Sequence, residues 1–194
     1  MWDGLCDRYS EPHRAYHTLC HLSECFSWFD RAHNLAKSPG AVELALWFHD
    51  AIYDTRRVDN EVQSAAWAAQ VIDRAGGGPV LQQTVHAMIL ATKHHTAPGL
   101  DDSLLVLDSD LAILGAAPGR FAQYEAQIRQ EYAWVPEAVF RQKRAEVIAA
   151  FLARPSIFAL RFFRSRLEGP ARHNLAKSLA NLKPEPRTEP TSLG

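Results

Sequence analysis

SPGAVELALWFHDA, residues 38–51, decides how the chain is read. Ser38 followed by Pro39 is the pattern of an N-cap with proline at the first helical position. Leu44, Trp47, Phe48 and Ala51 then recur at helical spacing, which gives the segment an apolar face. It closes on the adjacent pair His49-Asp50, two polar groups set among apolar neighbours. An imidazole or a carboxylate is costly to bury unless another group replaces its lost water. Adjacent helical residues point about 100° apart. His49 and Asp50 therefore reach one ion only along the helix flank, which leaves the far side of that ion open.

Two further clusters share this character: YHTLCHL at residues 16–22 and LLVLDSDLAIL at residues 104–114. His17 and His21 are four residues apart, so on a helix they share a face. Both could bind one ion, or one could ligate while the other faces a substrate. If residues 103–115 form a single helix, Leu104, Leu107, Leu111 and Leu114 make its buried stripe. Asp108 and Asp110 then lie on opposite edges of that stripe, and periodicity does not choose between them. A divalent metal ion satisfies several imidazoles and carboxylates at once.

The remaining sequence reads as helical nearly throughout. Asp59 caps an alanine-rich helix that runs toward Arg74, and Gly76, Gly77 and Gly78 stop it. Pro79 opens a helix that runs to His94, and Ala97-Pro98-Gly99 is a loop. Pro118, Pro136 and Pro155 each mark a helix start. There is no sustained alternation of apolar and polar residues, so the fold class is all-α, with one domain over residues 1–183. Residues 184–194 are proline-rich and read as a disordered tail. HNLAKS occurs at 33–38 and again at 173–178, but no period follows, so no repeat architecture is inferred.

The chain has 194 residues, 47% hydrophobic and 22% charged, with a formal net charge of −1. That charge supplies no basic field, so sequence-specific nucleic-acid binding is not expected. No apolar run approaches the ~20 residues that span a bilayer. The first residues have no apolar core of the signal-peptide type. Cys6, Cys20 and Cys25 read as reduced thiols. A cytoplasmic protein that binds no membrane is expected, and a homodimer is left open.

EPHRAYHTLCHL, ELALWFHDAIYD, DNEVQSA, LDSDLAILG and ARHNLAKS together resemble the HD superfamily of metal-dependent phosphohydrolases, in particular a family of small bacterial predicted HD phosphohydrolases. The likeness spans about residues 8 to 175. It implies a helical bundle of the HD/phosphodiesterase type and one divalent ion, Mn, Fe, Co, Ni, Zn or Mg, with a second ion left open. It implies His21, His49, Asp50 and Asp110 as ligands, the choice of Asp110 over Asp108 following the superfamily's Asp-x-Asp habit. YHTLCHL also looks like the Tyr-His-Asn-x-x-His segment of cyclic-nucleotide phosphodiesterases, which implies His17 as general acid. The chain has no counterpart of the nucleotide-clamping glutamine segment of those enzymes. It also lacks the GYP motif of cyclic-di-GMP hydrolases.

Around these residues, Arg14 is a candidate phosphate ligand, since a guanidinium grips phosphate through two parallel hydrogen bonds. Glu61 could orient a water or a ligand histidine. Lys93, His94 and His95 could bind phosphate or a second metal, although a helix C-terminus favours cations in any case. Glu43 lies two turns before Asp50 and could serve the site or simply the helix N-terminus. His13, His33, His86 and His173 read as ordinary histidines. The expected function is hydrolysis of a nucleotide or other small phosphate ester. The alternatives are a di-iron oxygenase on the same scaffold and a metal- or nucleotide-binding module without turnover.

Overall fold

The computed structural model of the chain describes residues 2–95 and 101–182. The expected loop at 97–99 and tail at 184–194 lie outside the described residues. Among the described residues there is no strand, and the chain is all-α. The helices are α1 Trp2–Tyr9, α2 Leu19–Ala32, α3 Pro39–Phe48, α4 Asn60–Arg74, α5 Pro79–Thr92, α6 Asp101–Asp110, α7 Pro118–Glu131, α8 Glu137–Ala153 and α9 Arg161–Leu182. Short 3-10 turns occupy His33–Leu35 and Leu111–Gly115. No described helix is long and apolar enough to cross a membrane.

Proline and glycine set many of the boundaries. Proline stands at the start of α3, α5 and α7, where a missing N–H costs nothing. The end of α4 is a Schellman closure. Gly77 N–H bonds Ile72 O at 2.8 Å and Gly76 N–H bonds Asp73 O at 2.9 Å, with Gly76 at φ +77°. A Cβ on Gly77 would meet Ile72 Cγ2 at 2.3 Å, so this turn needs glycine twice.

Helix α6 is the axis of the bundle and packs against α2, α3 and α5. Leu105, Val106 and Leu107 are buried, and so are Asp102, Ser103, Asp108 and Ser109. The helix is therefore enclosed on almost every side, not along the single stripe expected from periodicity. Its polar residues are partnered from other elements. Asp102 accepts Lys37 N–H at 2.8 Å and Ser38 N–H at 2.7 Å, and so caps α3, where the Ser38 hydroxyl makes no cap bond. Asp108 accepts Ala159 N–H at 2.9 Å and Leu160 N–H at 2.7 Å, just before α9 begins.

Two sequence expectations fail here for physical reasons. Residues 103–115 do not form one α-helix: α6 stops at Asp110, and Leu111–Gly115 tightens into a 3-10 turn against α9. A Cβ on Gly115 would lie 2.8 Å from Leu167 Cβ, so this contact requires glycine. Pro155 does not open a helix either. Residues 155–160 form a loop whose backbone N–H groups are taken by Glu168 (Ile157, Phe158) and Asp108 (Ala159, Leu160), and α9 begins at Arg161.

Helices α4 and α5 pack on each other and on α3. Phe48, the last residue of α3, is fully buried and stands edge-on to Trp67 with centroids 5.3 Å apart. Truncating such a side chain costs about 3–5 kcal/mol. This anchor fixes the end of the helix where His49 and Asp50 emerge.

Candidate metal centre

Three helices converge on one point. Helix α2 starts at Leu19, capped by the Thr18 hydroxyl that accepts Cys20 N–H. It presents His21 and, one turn later, Cys25, both buried. His49 is the C-cap of α3, and its Nδ1 donates to Leu46 O at 2.8 Å. A carbonyl can only accept, so Nδ1 carries a hydrogen and Nε2 is the ring nitrogen that faces the cluster. Asp50 follows His49, and Asp110 ends α6.

His21 Nε2 lies 3.2 Å from His49 Nε2 and 3.2 Å from Asp110 Oδ1. Asp50 Oδ2 is 3.1 Å from His49 Nε2 and 3.6 Å from His21 Nε2, and Asp110 Oδ1 is 3.6 Å from His49 Nε2. Ligands held at roughly 2.0–2.2 Å from one ion stand roughly 3.0–3.5 Å from each other, so these separations suit a common ion. The ligand atoms of His21, Cys25, His49 and Asp110 all lie within 4.8 Å of one another, and this buried group could hold a metal ion. Asp108 is elsewhere, committed to the 155–160 loop.

Comparison with protein-family models, with curated proteins and with solved structures returns no match for this chain. The site therefore has to be read from its own chemistry.

Burial works against charge at every member of the cluster, yet mutual pairing prevails. Cys25, Tyr16 and the two carboxylates hold the His21 pKa well above its ordinary value. Asp50 and Asp110 do the same for His49. Asp50 is held well below the usual carboxylate range by His49, His17 and His21. Asp110 is held there by hydrogen bonds from His21, His49 and His95. Buried anionic oxygens opposite convergent imidazoles are the electrostatics that a divalent cation would complete.

His17 does not lie on α2 as the four-residue spacing suggested, because the Thr18 cap starts that helix after it. The ring nevertheless overhangs the cluster, with its centroid 5.7 Å from that of His21 and Nε2 3.9 Å from Asp50 Oδ2. Glu131, the last residue of α7, holds it there. Glu131 Oε1 accepts the N–H groups of Ala15, Tyr16 and His17, and Oε2 meets His17 Nδ1 at 2.7 Å. Tyr53 stacks on the His17 ring at 4.1 Å and donates its hydroxyl to Glu131 at 2.8 Å. Burial opposes ionisation of Glu131, but His17 and the other donors bring its pKa down to about 2.

Arg14 is not free for a phosphate. Its guanidinium is buried and donates to His17 O, Asp50 O, Ala51 O and Glu11 Oε2, at distances of 2.7–3.2 Å. It ties the His17 turn to the end of α3 instead. Glu43 and His94 are exposed, and His94 does not line the cavity over the cluster. His95 comes close to the cluster: its Nε2 is 3.2 Å from Asp110 Oδ2, and its backbone sits at φ 48°.

A cavity of about 470 Å³ opens over the cluster, and His17, Asp50, His95 and Asp110 form its floor. Glu61 and Asn60 lie on its wall, as do the cations Arg57, Lys93 and Arg144. Arg144 is paired with Glu125 and Tyr124, Arg57 with Asp59, and Lys93 Nζ donates to Val58 O at 2.7 Å. Tyr132 and Phe151 make up part of the apolar wall. Glu131, Cys25 and Tyr53 were missed from sequence. Cys25 had a readable signal, four residues after His21, whereas nothing local marks Glu131.

Proposed function

We propose that this protein is a metal-dependent phosphohydrolase of the HD type, acting on a nucleotide or another small phosphate ester. One observation carries the reading: a cluster able to bind a metal and, directly beside it, a histidine oriented by a buried carboxylate open together onto a cavity of about 470 Å³. His21, His49, Asp50 and Asp110 would hold the ion. A divalent ion supplies an activated water and neutralises charge on a phosphoryl oxygen.

The chain's own residues do the rest. Glu131 keeps the proton on His17 Nδ1, which leaves Nε2 to pass a proton to the leaving oxygen. Arg14 fixes the backbone from which His17 and Asp50 project. Lys93, Arg57 and Arg144 bias the cavity toward an anion, and Tyr132 and Phe151 offer apolar surface to the rest of the ester. Glu61, on the cavity wall, would orient the attacking water.

The test is a screen of phosphate esters and nucleotides with Mn, Fe, Co, Ni, Zn and Mg, paired with metal analysis of the protein. Metal-dependent release of phosphate that disappears in His49→Ala is expected. Failure to turn over any phosphate ester with any of these ions would refute the reading. The di-iron oxygenase alternative has one observation in its favour, His95 Nε2 on the second oxygen of Asp110. Two irons per chain with oxygen consumption would replace our reading by that one.

A further inference from the structure

The cavity over the cluster has two ends, and α8 runs between them. Phe151 lines the end at the cluster: its ring stands edge-on to that of His95, with centroids 5.9 Å apart, and His95 Nε2 meets Asp110. Val147 and Arg144 line the same cavity from the same face of α8, about one and two turns earlier. At roughly 1.5 Å of rise per residue, Arg144 stands roughly 10 Å along the wall from Phe151. On its other flank, two aromatic rings separate Arg144 from the cluster. Its Cζ lies 5.2 Å from the Tyr124 ring, which packs on Tyr16 at 4.6 Å, and Tyr16 packs on His21 at 4.7 Å.

Arg144 is held from behind. Its Nη2 donates to Tyr124 Oη at 2.9 Å and to Glu125, which accepts from Ser178 on its other oxygen and does not line the cavity. Those bonds use one nitrogen of three. Nε is buried without an acceptor among the described residues, and Nη1 has none there either but keeps accessible surface. Arg14 shows the contrast: an arginine kept for structure engages Nε, Nη1 and Nη2 alike. The Arg144 side chain is 12% exposed and lines the cavity, so Nη1 is the donor it presents there. The other two cations of the wall belong to the entry of α4, where Asp59 grips Arg57 and Val58 O takes Lys93.

We propose that Arg144 is a second anion-binding point, and that the ester held in this cavity carries a second anionic group, a phosphate or a carboxylate, roughly 10 Å from the one at the metal cluster. The proposal rests on the phosphohydrolase reading of the preceding section and narrows its substrate class. A guanidinium binds either kind of anion through charge-assisted hydrogen bonds, and a partly buried one binds it with little screening by water. Val147 and Tyr132 offer apolar surface to the carbon skeleton that joins the two groups.

The experiment uses the full chain loaded with Zn(II) and measures binding of phosphonates, whose C–P bond ester hydrolysis does not cleave. Monoalkyl phosphonates of increasing length are compared by calorimetry with the same chains ending in a second phosphonate, a carboxylate or a neutral carboxamide. The best-fitting second anion should tighten binding roughly 10–100-fold, the worth of a charged hydrogen bond. The phosphonate and carboxylate arms tell which anion the site takes. Arg144→Lys keeps a charge for Glu125 but loses Nη1, and should abolish the gain, so that the two kinds of probe bind alike. Arg144→Met with Glu125→Gln replaces it if that variant does not fold. Lys93→Ala should weaken both probes and keep the gain. No gain from any second anion, a gain that survives loss of Arg144, or an equal gain from the carboxamide overturns the proposal and leaves the metal site standing. Failure of every monoalkyl phosphonate to bind the Zn(II)-loaded protein overturns the phosphohydrolase reading as well.

Discussion

Asp108 and Asp110 stand on the same helix, are both packed into the interior, and face opposite kinds of partner. Asp108 accepts two backbone N–H groups of the loop before α9. Burial pushes its carboxyl up to about 6 despite those donors. Asp110 faces imidazole nitrogens on three other segments, and their hydrogen bonds hold it well below the usual carboxylate range. An amide is a permanent donor, so a carboxylate that binds amides is locked into structure. An imidazole can give up its proton and offer a lone pair to an ion. The role of each aspartate is set by what it faces, more than by its residue type or its depth.

The largest expected effect breaks this pair apart. Asp110→Asn should remove most of the bound metal and abolish turnover, as should His49→Ala and Asp50→Ala. Asp108→Ala should keep the metal stoichiometry but lose about 1–3 kcal/mol for each of two orphaned amides. Metal analysis and denaturant unfolding read the two outcomes separately. Metal loss in Asp108→Ala with retention in Asp110→Asn would reverse the assignment.

The next effect lies in rate alone. His17→Ala should retain the metal and lower turnover by roughly 10²–10⁴, the usual worth of a positioned acid. The loss should shrink with a p-nitrophenyl ester, whose leaving group hardly needs a proton. An emptied metal site would make His17 a ligand. Unchanged turnover would remove it from the chemistry.

The helices were legible where local rules suffice. The Pro39, Pro79 and Pro118 starts and the Gly76-Gly77 closure all follow from backbone sterics. What sequence could not show is where a remote carboxylate would intervene. HNLAKS makes the point: at 173–178 it continues α9, while at 33–38 it forms a 3-10 turn and then leaves the helix. There Pro39 follows, and Asp102 takes the N–H groups of Lys37 and Ser38. The 155–160 loop and the His17 turn are shaped in the same way, by Asp108, Glu168 and Glu131. The choice between Asp108 and Asp110 was likewise hidden, because helical periodicity describes one helix, whereas their partners come from others. Arg14 was misread for this reason too: besides Glu11, its acceptors are three backbone carbonyls, which carry no residue code.

Glu131 sharpens the comparison because it plays both parts, one oxygen on three amides and the other on His17 and Tyr53. Its pKa falls from 4.5 to about 2 on folding. A depressed carboxyl contributes stability that is fully present above pH ~4.5 and is lost as the pH falls toward 2, on the order of 3 kcal/mol. Glu131→Gln should flatten that acid limb in unfolding titrations and also slow turnover by freeing His17. An unchanged acid limb would mean that the amides alone hold the turn.

The smallest effect asks the same question of a cation. Arg14 is committed to three carbonyls and Glu11, as Asp108 is to amides. Lys93 is exposed on the cavity wall and spends one bond on Val58 O. An ammonium has three donors, so two remain for a phosphate oxygen. Lys93→Ala should change stability by less than about 0.5 kcal/mol, as at most surface positions. It should raise KM about tenfold, the equivalent of ~1.4 kcal/mol, and leave kcat unchanged, because the lost contact binds ground and transition states alike. Arg14→Ala, by contrast, should lower stability and kcat together, since His17 and Asp50 lose their shared anchor. If Lys93→Ala instead lowers stability and leaves KM alone, its bond to Val58 is its whole role. The anion-binding side of the cavity would then have to be sought at Arg57 and Arg144.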